Sequence, residues 1–149
     1  MGSLILPEEG LVYVDANIAI YSVDRHPVYG AICDPIWQAA QNGALIVASS
    51  ELTILECLIG PLRNGDSAQA RRRERVWDRP NTRLLPITRD VLLEAARLRA
   101  NIPALKSPDA IHAATALLSQ CSLFITNDMG FRRVPNLPLV ILDDVIAAP

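Results

Sequence analysis

The feature that most constrains the fold is an apolar run near the start of the chain that stops abruptly on a carboxylate. Residues 11–14 read Leu-Val-Tyr-Val, and Asp15 follows them directly. A short run of this kind is typical of a buried strand in a parallel sheet. The residue that ends such a strand lies at the carboxyl edge of the sheet, where open α/β folds place their sites. Asp15 is therefore the first candidate site residue.

The rest of the chain alternates between strand-like and helix-like patterns. Further strand-like runs occupy 44–48, 84–87, 123–126 and 137–142, and apolar residues at helical spacing lie between them. This alternation predicts βαβ units around a parallel sheet. Because the chain has 149 residues and half of them are apolar, we expect one α/β domain over 1–149, with 1–10 as a leader that adds little.

Composition argues against several classes of protein. The formal net charge of -2 gives no general attraction to nucleic acid, so any anion site must be local. Three cysteines without close spacing and only two histidines indicate neither a disulfide scaffold nor a zinc site. No secretory signal is recognised, and no apolar stretch approaches the roughly 20 residues that cross a bilayer. We therefore expect a reduced, cytoplasmic protein that does not use a membrane.

Two further acids, Asp128 and Asp109, are predicted to lie at the same carboxyl edge of the sheet. Asp128 comes just after the apolar run 123–126, as Asp15 does after the first run. Asp109 follows Ser107-Pro108, which predicts a helix that Ser107 caps and Pro108 begins. An acid in the first helical turn is favoured by the helix dipole, so a helix-start role explains Asp109 as well as a ligand role does.

Glu56 is the acid that is hardest to explain without a site. It falls with Leu52, Leu55 and Ile59 at spacings of three and four residues, which predicts that it lies on the apolar stripe of a helix. A lone carboxylate on a buried stripe would be costly unless a cation or a donor lies nearby. We therefore expect the fold to gather Glu56 with the other acids.

Four converging carboxylates would repel one another unless a hard cation neutralises them, and an all-oxygen ligand set suits Mg²⁺ or Mn²⁺. Such ions activate water and stabilise developing charge in phosphodiester hydrolysis. Asn17 lies two residues after Asp15, and Thr126 lies two residues before Asp128. Both are predicted to support the site by holding water or orienting carboxylates, although each could equally be an ordinary cap or strand-end residue.

Other chemistry fits the first strand less well. A phosphatase of the haloacid dehalogenase kind would need a second Asp two residues after Asp15, where this chain has Asn17. A nucleotide-binding fold would need a glycine-rich turn there, and the sequence has none. Hydrolysis assisted by metal ions remains the better interpretation.

The segment 68–83 carries the only dense positive charge. A solvated helix paired locally with Glu74 and Asp78 is the stronger interpretation of this segment, and contact with RNA phosphates is the alternative. His112, one turn beyond Asp109, could also touch a phosphate, but a packed and hydrogen-bonded histidine is the more frequent arrangement. The residues that this alternative assigns to RNA are Arg71, Arg72, Arg73, Arg75 and His112.

The acidic segments together resemble a known family. Residues 14–17 (Val-Asp-Ala-Asn), 50–56, 107–116 and 125–128 resemble the successive acidic motifs of PIN-domain ribonucleases, especially toxins of the VapC type from VapBC toxin-antitoxin pairs. The likeness covers nearly the whole chain, and the order and spacing of the motifs are its specific part. The arginine-rich segment 68–83 has no counterpart among these motifs.

The resemblance implies a PIN-like three-layer α/β/α sandwich with a central, mostly parallel sheet of four to five strands. It also implies a Mg²⁺- or Mn²⁺-dependent endoribonuclease, a homodimer, and neutralisation by an antitoxin encoded alongside. By motif position, the acids that would hold metal are Asp15, Glu56, Asp109 and Asp128. The alternative is a PIN-fold interaction module whose acidic pocket binds a basic residue of a partner without significant turnover.

Overall fold

The structure, a computed structural model, describes residues 2–149 and is built on one five-stranded sheet. Its strands are β1 (Leu11–Val14), β2 (Ile46–Ser50), β3 (Thr82–Leu85), β4 (Leu123–Thr126) and β5 (Leu139–Ile141). The strand order is β3-β2-β1-β4-β5, and every neighbouring pair is parallel. The predicted α/β class and parallel sheet are therefore confirmed.

Helices cover both faces of this sheet. They are α1 (Ala16–Val23), α2 (Gly30–Gln41), α3 (Leu52–Arg63), α4 (Ser67–Arg75), α5 (Arg89–Asn101), α6 (Ser107–Leu118) and α7 (Leu142–Ala147). Short 3₁₀ helices span Val76–Asp78 and Met129–Arg133. Among the described residues, no helix has both the length and the apolar character needed to cross a membrane.

The two faces of β1 serve two separate cores, because successive side chains of a strand point in opposite directions. Val12 and Val14 pack with residues of α1, α2 and α3, including Ile18 and Ile36. Tyr13 faces the other way and packs with residues of α5 and α6. The sheet thus lies between two helical layers, which confirms the predicted three-layer sandwich.

The strand order places the ends of β1 and β4 side by side. β1 pairs with β2 on one side and with β4 on the other, so the winding of the chain reverses here. Val14 is in register with Ile125, which brings the carboxyl ends of both strands to the same level. Asp15 and Asp128, which follow those ends, therefore flank the switch point where α/β sheets bind ligands.

Several boundaries differ from the sequence prediction. β2 begins two residues later than predicted, and β3 covers 82–85 rather than 84–87. Pro86 accounts for the end of β3, since proline cannot donate to a strand ladder. The segment 68–83 is also broken into α4, a 3₁₀ turn and the start of β3, with Pro80 in the connection.

The predicted N-cap of α6 is wrong. Lys106 occupies the N-cap position without a side-chain cap, and Ser107 is the first helical residue. The hydroxyl of Ser107 instead accepts a hydrogen bond from Nη1 of Arg99 at 2.8 Å. Pro108, predicted as the first helical residue, is the second, and it lies in the first turn.

Part of the segment predicted as a leader packs against the core. Leu4 and Leu6 are partly buried and pack against the core beneath α1 and α2. Met1 lies outside the described residues. Residues 2–10 form no helix or strand, but their apolar side chains extend the core on this face of the sheet.

Candidate active site

The four predicted acids line a single cavity of about 200 Å³ at the carboxyl edge of the sheet. Asp15 and Asp128 reach it from the ends of β1 and β4, Glu56 from α3, and Asp109 from the first turn of α6. The remaining lining residues are Ala16, Asn17, Ile20 and His112. Side chains that are distant in sequence thus share one small, mostly polar space.

Asp15 is the most buried of the four acids, with a relative exposure of 5%. One carboxylate oxygen caps α1 by accepting from the backbone N–H of Ile18 at 3.3 Å. The other accepts a hydrogen bond from the hydroxyl of Thr126. Burial raises the pKa of Asp15 to about 6, although Thr126 and His112 oppose that rise. The charged form is therefore costly in the absence of a cation.

Thr126 connects the two acids that follow the central strands. Its buried hydroxyl donates to Asp15 and accepts from the backbone N–H of Asp128 at 3.0 Å. One carboxylate oxygen of Asp128 accepts in turn from the N–H of Gly130 at 2.8 Å. Thr126 thus orients Asp15 and the backbone that carries Asp128. Asn17, by contrast, is exposed at the rim of the cavity and has no hydrogen bond from its side chain among the described residues.

The apolar stripe predicted on α3 is exposed rather than buried. Leu55 and Ile59 are 60% and 50% exposed, and the residues that α3 buries are Thr53, Cys57 and Pro61. Glu56 lies between the two faces and is partly buried. Helical spacing identified the apolar stripe but wrongly predicted that it faces the core. Periodicity alone does not tell which side of a helix is buried.

Glu56 is held by a buried histidine. Nε2 of His112 lies 2.5 Å from Oε1 of Glu56, and Nδ1 of the same ring lies 2.7 Å from the hydroxyl of Tyr13. His112 is 2% exposed, so neither ring nitrogen is free to bind a phosphate. The packed, hydrogen-bonded arrangement is the one observed, and the RNA contact of His112 stays a prediction that would require these bonds to break.

Tyr13 is the member of this chain of hydrogen bonds that the sequence analysis missed. It is fully buried in β1 and stacks on Phe124 at a centroid distance of 5.0 Å. Desolvation raises the pKa of Tyr13, so its hydroxyl stays protonated. A tyrosine inside an apolar strand was the available signal, because a buried tyrosine hydroxyl usually requires a partner.

The other carboxylates of the cavity affect the ionisation of Asp109. Burial raises the pKa of Asp109, and the Asp128 and Glu56 carboxylates raise it further, against the opposing effect of His112 and Lys106. Like charges that disfavour one another's ionisation are stabilised when a cation enters between them. The electrostatics of the cavity therefore favour a bound cation.

The cavity has donors suited to a hard divalent cation. Carboxylate oxygens are the ligands that Mg²⁺ and Mn²⁺ prefer, and Mg²⁺ commonly keeps several waters while one or two carboxylates hold it. Within residues 2–149, no three His, Cys, Asp or Glu side chains are already placed to hold one ion. The residues thus fit such an ion by chemistry, and its binding would require waters or a shift of the carboxylates.

The arginines predicted to contact RNA have different environments. Arg73 is occupied: Nη2 pairs with Asp24 at 2.5 Å, and Nη1 donates to the carbonyl of Cys57 at 2.9 Å. These bonds tie α4 to the end of α1 and to α3, so an RNA contact at Arg73, which stays a prediction, would have to compete with them. Arg71, Arg72 and Arg75 are exposed.

Comparison with known proteins identifies the family. The family model described as the PIN domain matches residues 12–137. No curated protein gives a significant sequence match.

Several solved structures share the fold at low sequence identity. VapBC2 from Rickettsia felis, bound to a DNA fragment from its promoter, aligns with a TM-score of 0.72 and 18% identity over 88% of this chain and 98% of that one. DNA-bound VapBC from Salmonella typhimurium aligns with a TM-score of 0.68 and 16% identity, over 87% and 96%. A toxin-antitoxin complex from Klebsiella pneumoniae gives 0.61 and 22%, over 87% and 95%.

Proposed function

The chain belongs to the PIN-domain family, and from this premise we propose that it is a Mg²⁺- or Mn²⁺-dependent endoribonuclease that acts as the toxin of a type II toxin-antitoxin pair. The observation that carries this proposal is the convergence of four carboxylates in one cavity at the switch point of the sheet. The structural relatives, which are VapBC pairs and a toxin-antitoxin complex, support the pairing with an antitoxin.

In this proposal the residues that hold the metal are Asp15, Glu56, Asp109 and Asp128. When bound, the ion activates water and stabilises negative charge on the phosphodiester. Thr126 keeps Asp15 turned toward the cavity, and His112 keeps Glu56 there through its short contact. Asn17, at the exposed rim, is placed to hold a water molecule or an RNA oxygen.

The chain needs no covalent nucleophile for this chemistry. The three cysteines are free, but burial raises the pKa of Cys33 and Cys121 to about 11 and that of Cys57 to about 12, which leaves all three as inert thiols. None of them lines the acidic cavity. Hydrolysis by water is therefore the route that we propose.

An antitoxin would inhibit the nuclease by placing a positively charged side chain in the acidic cavity. Acidic cavities of this kind bind an arginine fork well, because a guanidinium can donate two hydrogen bonds to carboxylate oxygens at once. The exposed apolar side chains of α3 lie next to Glu56 and offer anchors for such a partner: Leu55, Ile59 and Leu62. We propose that an antitoxin segment folds along α3 and α1 and places a basic side chain among the acids, and that the toxin is a cytoplasmic homodimer.

The test is cleavage of RNA by the purified chain, freed from any partner, with and without Mg²⁺ or Mn²⁺. Endonucleolytic products that require the metal and disappear with EDTA are expected. If RNA stays intact at every metal concentration while a basic peptide still binds the acidic cavity, the chain is instead an interaction module. The second outcome would be recognised by loss of peptide binding in Asp15→Asn.

A further inference from the structure

A second and larger cavity lies away from the acids. It has a volume of about 670 Å³ and lies between the end of α1, the length of α2 and the segment from α4 to β3. Four of its lining residues are arginines: Arg25, Arg72, Arg75 and Arg79. We call this cavity the arginine groove.

The four arginines of the groove are not paired with any acid among residues 2–149. Among the described residues, none of them forms an ion pair or donates a side-chain hydrogen bond, whereas Arg73 on the same helix is fully engaged. Arg79 makes only a cation-π contact, with its guanidinium 5.8 Å from the centroid of Trp37. The fold therefore holds four positive charges around one space and opposes them there only with Asp34.

This concentration of charge is unusual for the chain as a whole. The formal net charge is -2, so the groove is a local positive field on an otherwise slightly negative protein. Like charges that converge without counterions destabilise the compact state, and a ligand with several negative charges relieves that repulsion. Guanidinium forks also match the paired oxygens of a phosphate.

We propose that the arginine groove binds the phosphodiester backbone of the RNA substrate outside the cleavage site. The proposal rests on the ribonuclease function and adds to it a binding site outside the acidic cavity. Ser22, Gln38, Gln41 and Thr82 also line the groove and supply neutral donors for phosphate and sugar oxygens.

The groove and the acidic cavity lie along the same helix, α1. Asp15 caps the start of this helix and Ile20 also lines the acidic cavity, whereas Ser22 and Val23 at its end line the groove. An RNA chain that follows α1 can therefore contact both sites.

The lining favours RNA over an acidic protein segment. A peptide gains most of its affinity from apolar anchors, and none of the exposed large hydrophobic side chains of residues 2–149 line this groove. The apolar anchors are instead on α3, beside the acidic cavity. The groove offers charge and hydrogen-bond donors, which is the footprint of a phosphate backbone.

The experiment measures binding of a fluorescently labelled single-stranded RNA to metal-free protein at several salt concentrations. EDTA prevents cleavage, so binding is read independently of activity. The test variant is Arg72→Gln with Arg75→Gln, since both side chains are exposed and unbonded. The matched control is Arg63→Gln with Arg97→Gln, which removes the same charge from exposed positions outside the groove.

We expect the double groove variant to weaken RNA binding and to reduce the salt slope by about 1.4, since each phosphate contact on a single strand contributes about 0.7. The control should keep the wild-type slope. Arg25→Gln, which reaches the groove from a different segment, should reduce the slope by about 0.7 if the double variant folds poorly.

Equal slopes in groove and control variants would overturn the groove proposal, even if the wild type cleaves RNA. A groove-dependent slope in a protein that cleaves no RNA would instead keep the groove and refute the nuclease. If polyglutamate displaces the RNA from wild type as readily as unlabelled RNA of equal charge does, the groove takes acidic protein segments and the proposal is wrong.

Discussion

The Nε2 atom of His112 lies 2.5 Å from Oε1 of Glu56, which ties an acid of the cavity to the buried interior of the sheet. The other ring nitrogen reaches the Tyr13 hydroxyl, so the position of Glu56 depends on packing behind the cavity. A carboxylate on an exposed helix would otherwise move freely among rotamers. His112 is therefore a positioning residue for the proposed metal site.

His112→Gln and His112→Ala should separate positioning from simple stability. Glutamine can donate to Glu56, whereas alanine leaves Glu56 and the Tyr13 hydroxyl without that partner. We expect His112→Ala to lose about 2 to 4 kcal/mol of stability and to bind Mn²⁺ more weakly, while His112→Gln recovers much of the metal affinity. Calorimetric Mn²⁺ titration and urea unfolding measure the two effects. Equal metal affinity in both variants would contradict the positioning role.

Neutralising the acids should abolish cleavage without unfolding the protein. Asp15→Asn and Asp128→Asn each remove a carboxylate from the cavity, so Mg²⁺-dependent RNA cleavage should be lost while the melting temperature stays the same or rises. Glu9→Gln, an exposed change at the opposite edge of the sheet, is the control and should cleave normally. Full activity in Asp15→Asn would refute the assignment of this residue.

The pH dependence of stability should report the burial of Asp15. Burial raises the pKa of Asp15 from 3.8 to about 6 in the folded protein, so the folded state binds its proton more tightly than the unfolded state does. The resulting stabilisation is complete below about pH 4 and is lost as pH rises through about 6. Between pH 5 and pH 7 the metal-free protein should lose about 1 kcal/mol from this group.

Asp15→Asn isolates that contribution, because it removes the titrating group. Urea unfolding in EDTA should show a smaller loss of stability between pH 5 and pH 7 in the variant than in the wild type. Added Mg²⁺ should restore stability to the wild type at pH 7, since the ion stabilises the charged carboxylates. Identical pH profiles for both proteins would show that Asp15 titrates near its ordinary pKa.

Much of the sheet and part of the site could be predicted because their signals are local. The runs that end on Asp15 and Asp128 predicted two parallel strands, and the parallel register of β1 and β4 confirms their shared edge. The offsets at β2 and β3 are boundary errors of two residues, which apolar runs and turn residues do not resolve.

The contacts that the sequence did not reveal join segments that are distant in the chain. The contact of His112 with Tyr13 joins residues 99 positions apart, and it follows from how α6 packs on β1 rather than from either motif. The arginine pattern likewise did not reveal that Arg73 is bound to Asp24 and the Cys57 carbonyl while its neighbours are free. The sequence shows how many charges a segment carries, but tertiary packing decides which groups they pair with.

Arg73→Ala should therefore behave as a structural change. Its guanidinium joins α4 to Asp24 and to a carbonyl of α3, and loss of these partly buried bonds should cost about 1 to 2 kcal/mol of stability. The salt slope of RNA binding should stay at the wild-type value in the folded variant. A slope that falls as in Arg72→Gln with Arg75→Gln, with unchanged stability, would place Arg73 in the RNA site instead.

An apolar stripe on α3 is exposed in the structure, although its helical spacing predicted that it would face the core. Leu55, Ile59 and Leu62 are 60%, 50% and 63% exposed and follow one another at helical spacing beside Glu56. A solvent-facing apolar stripe next to an acidic cavity suits a partner that anchors on the stripe and reaches into the cavity with a basic side chain.

Leu55→Gln with Ile59→Gln should weaken binding of the co-expressed antitoxin by tenfold or more, because two buried anchors are lost, while RNA cleavage by the free protein is unchanged. Leu92→Gln with Leu118→Gln removes leucines of similar exposure, 49% and 51%, from α5 and α6 and should leave binding intact. Affinity is read by surface plasmon resonance and inhibition by RNA cleavage. Because anchoring and blockade are separate, changing the inserted basic residue of the antitoxin to alanine should leave a complex that forms but no longer fully inhibits. A stripe variant that binds the antitoxin as tightly as the wild type would place the docking surface elsewhere.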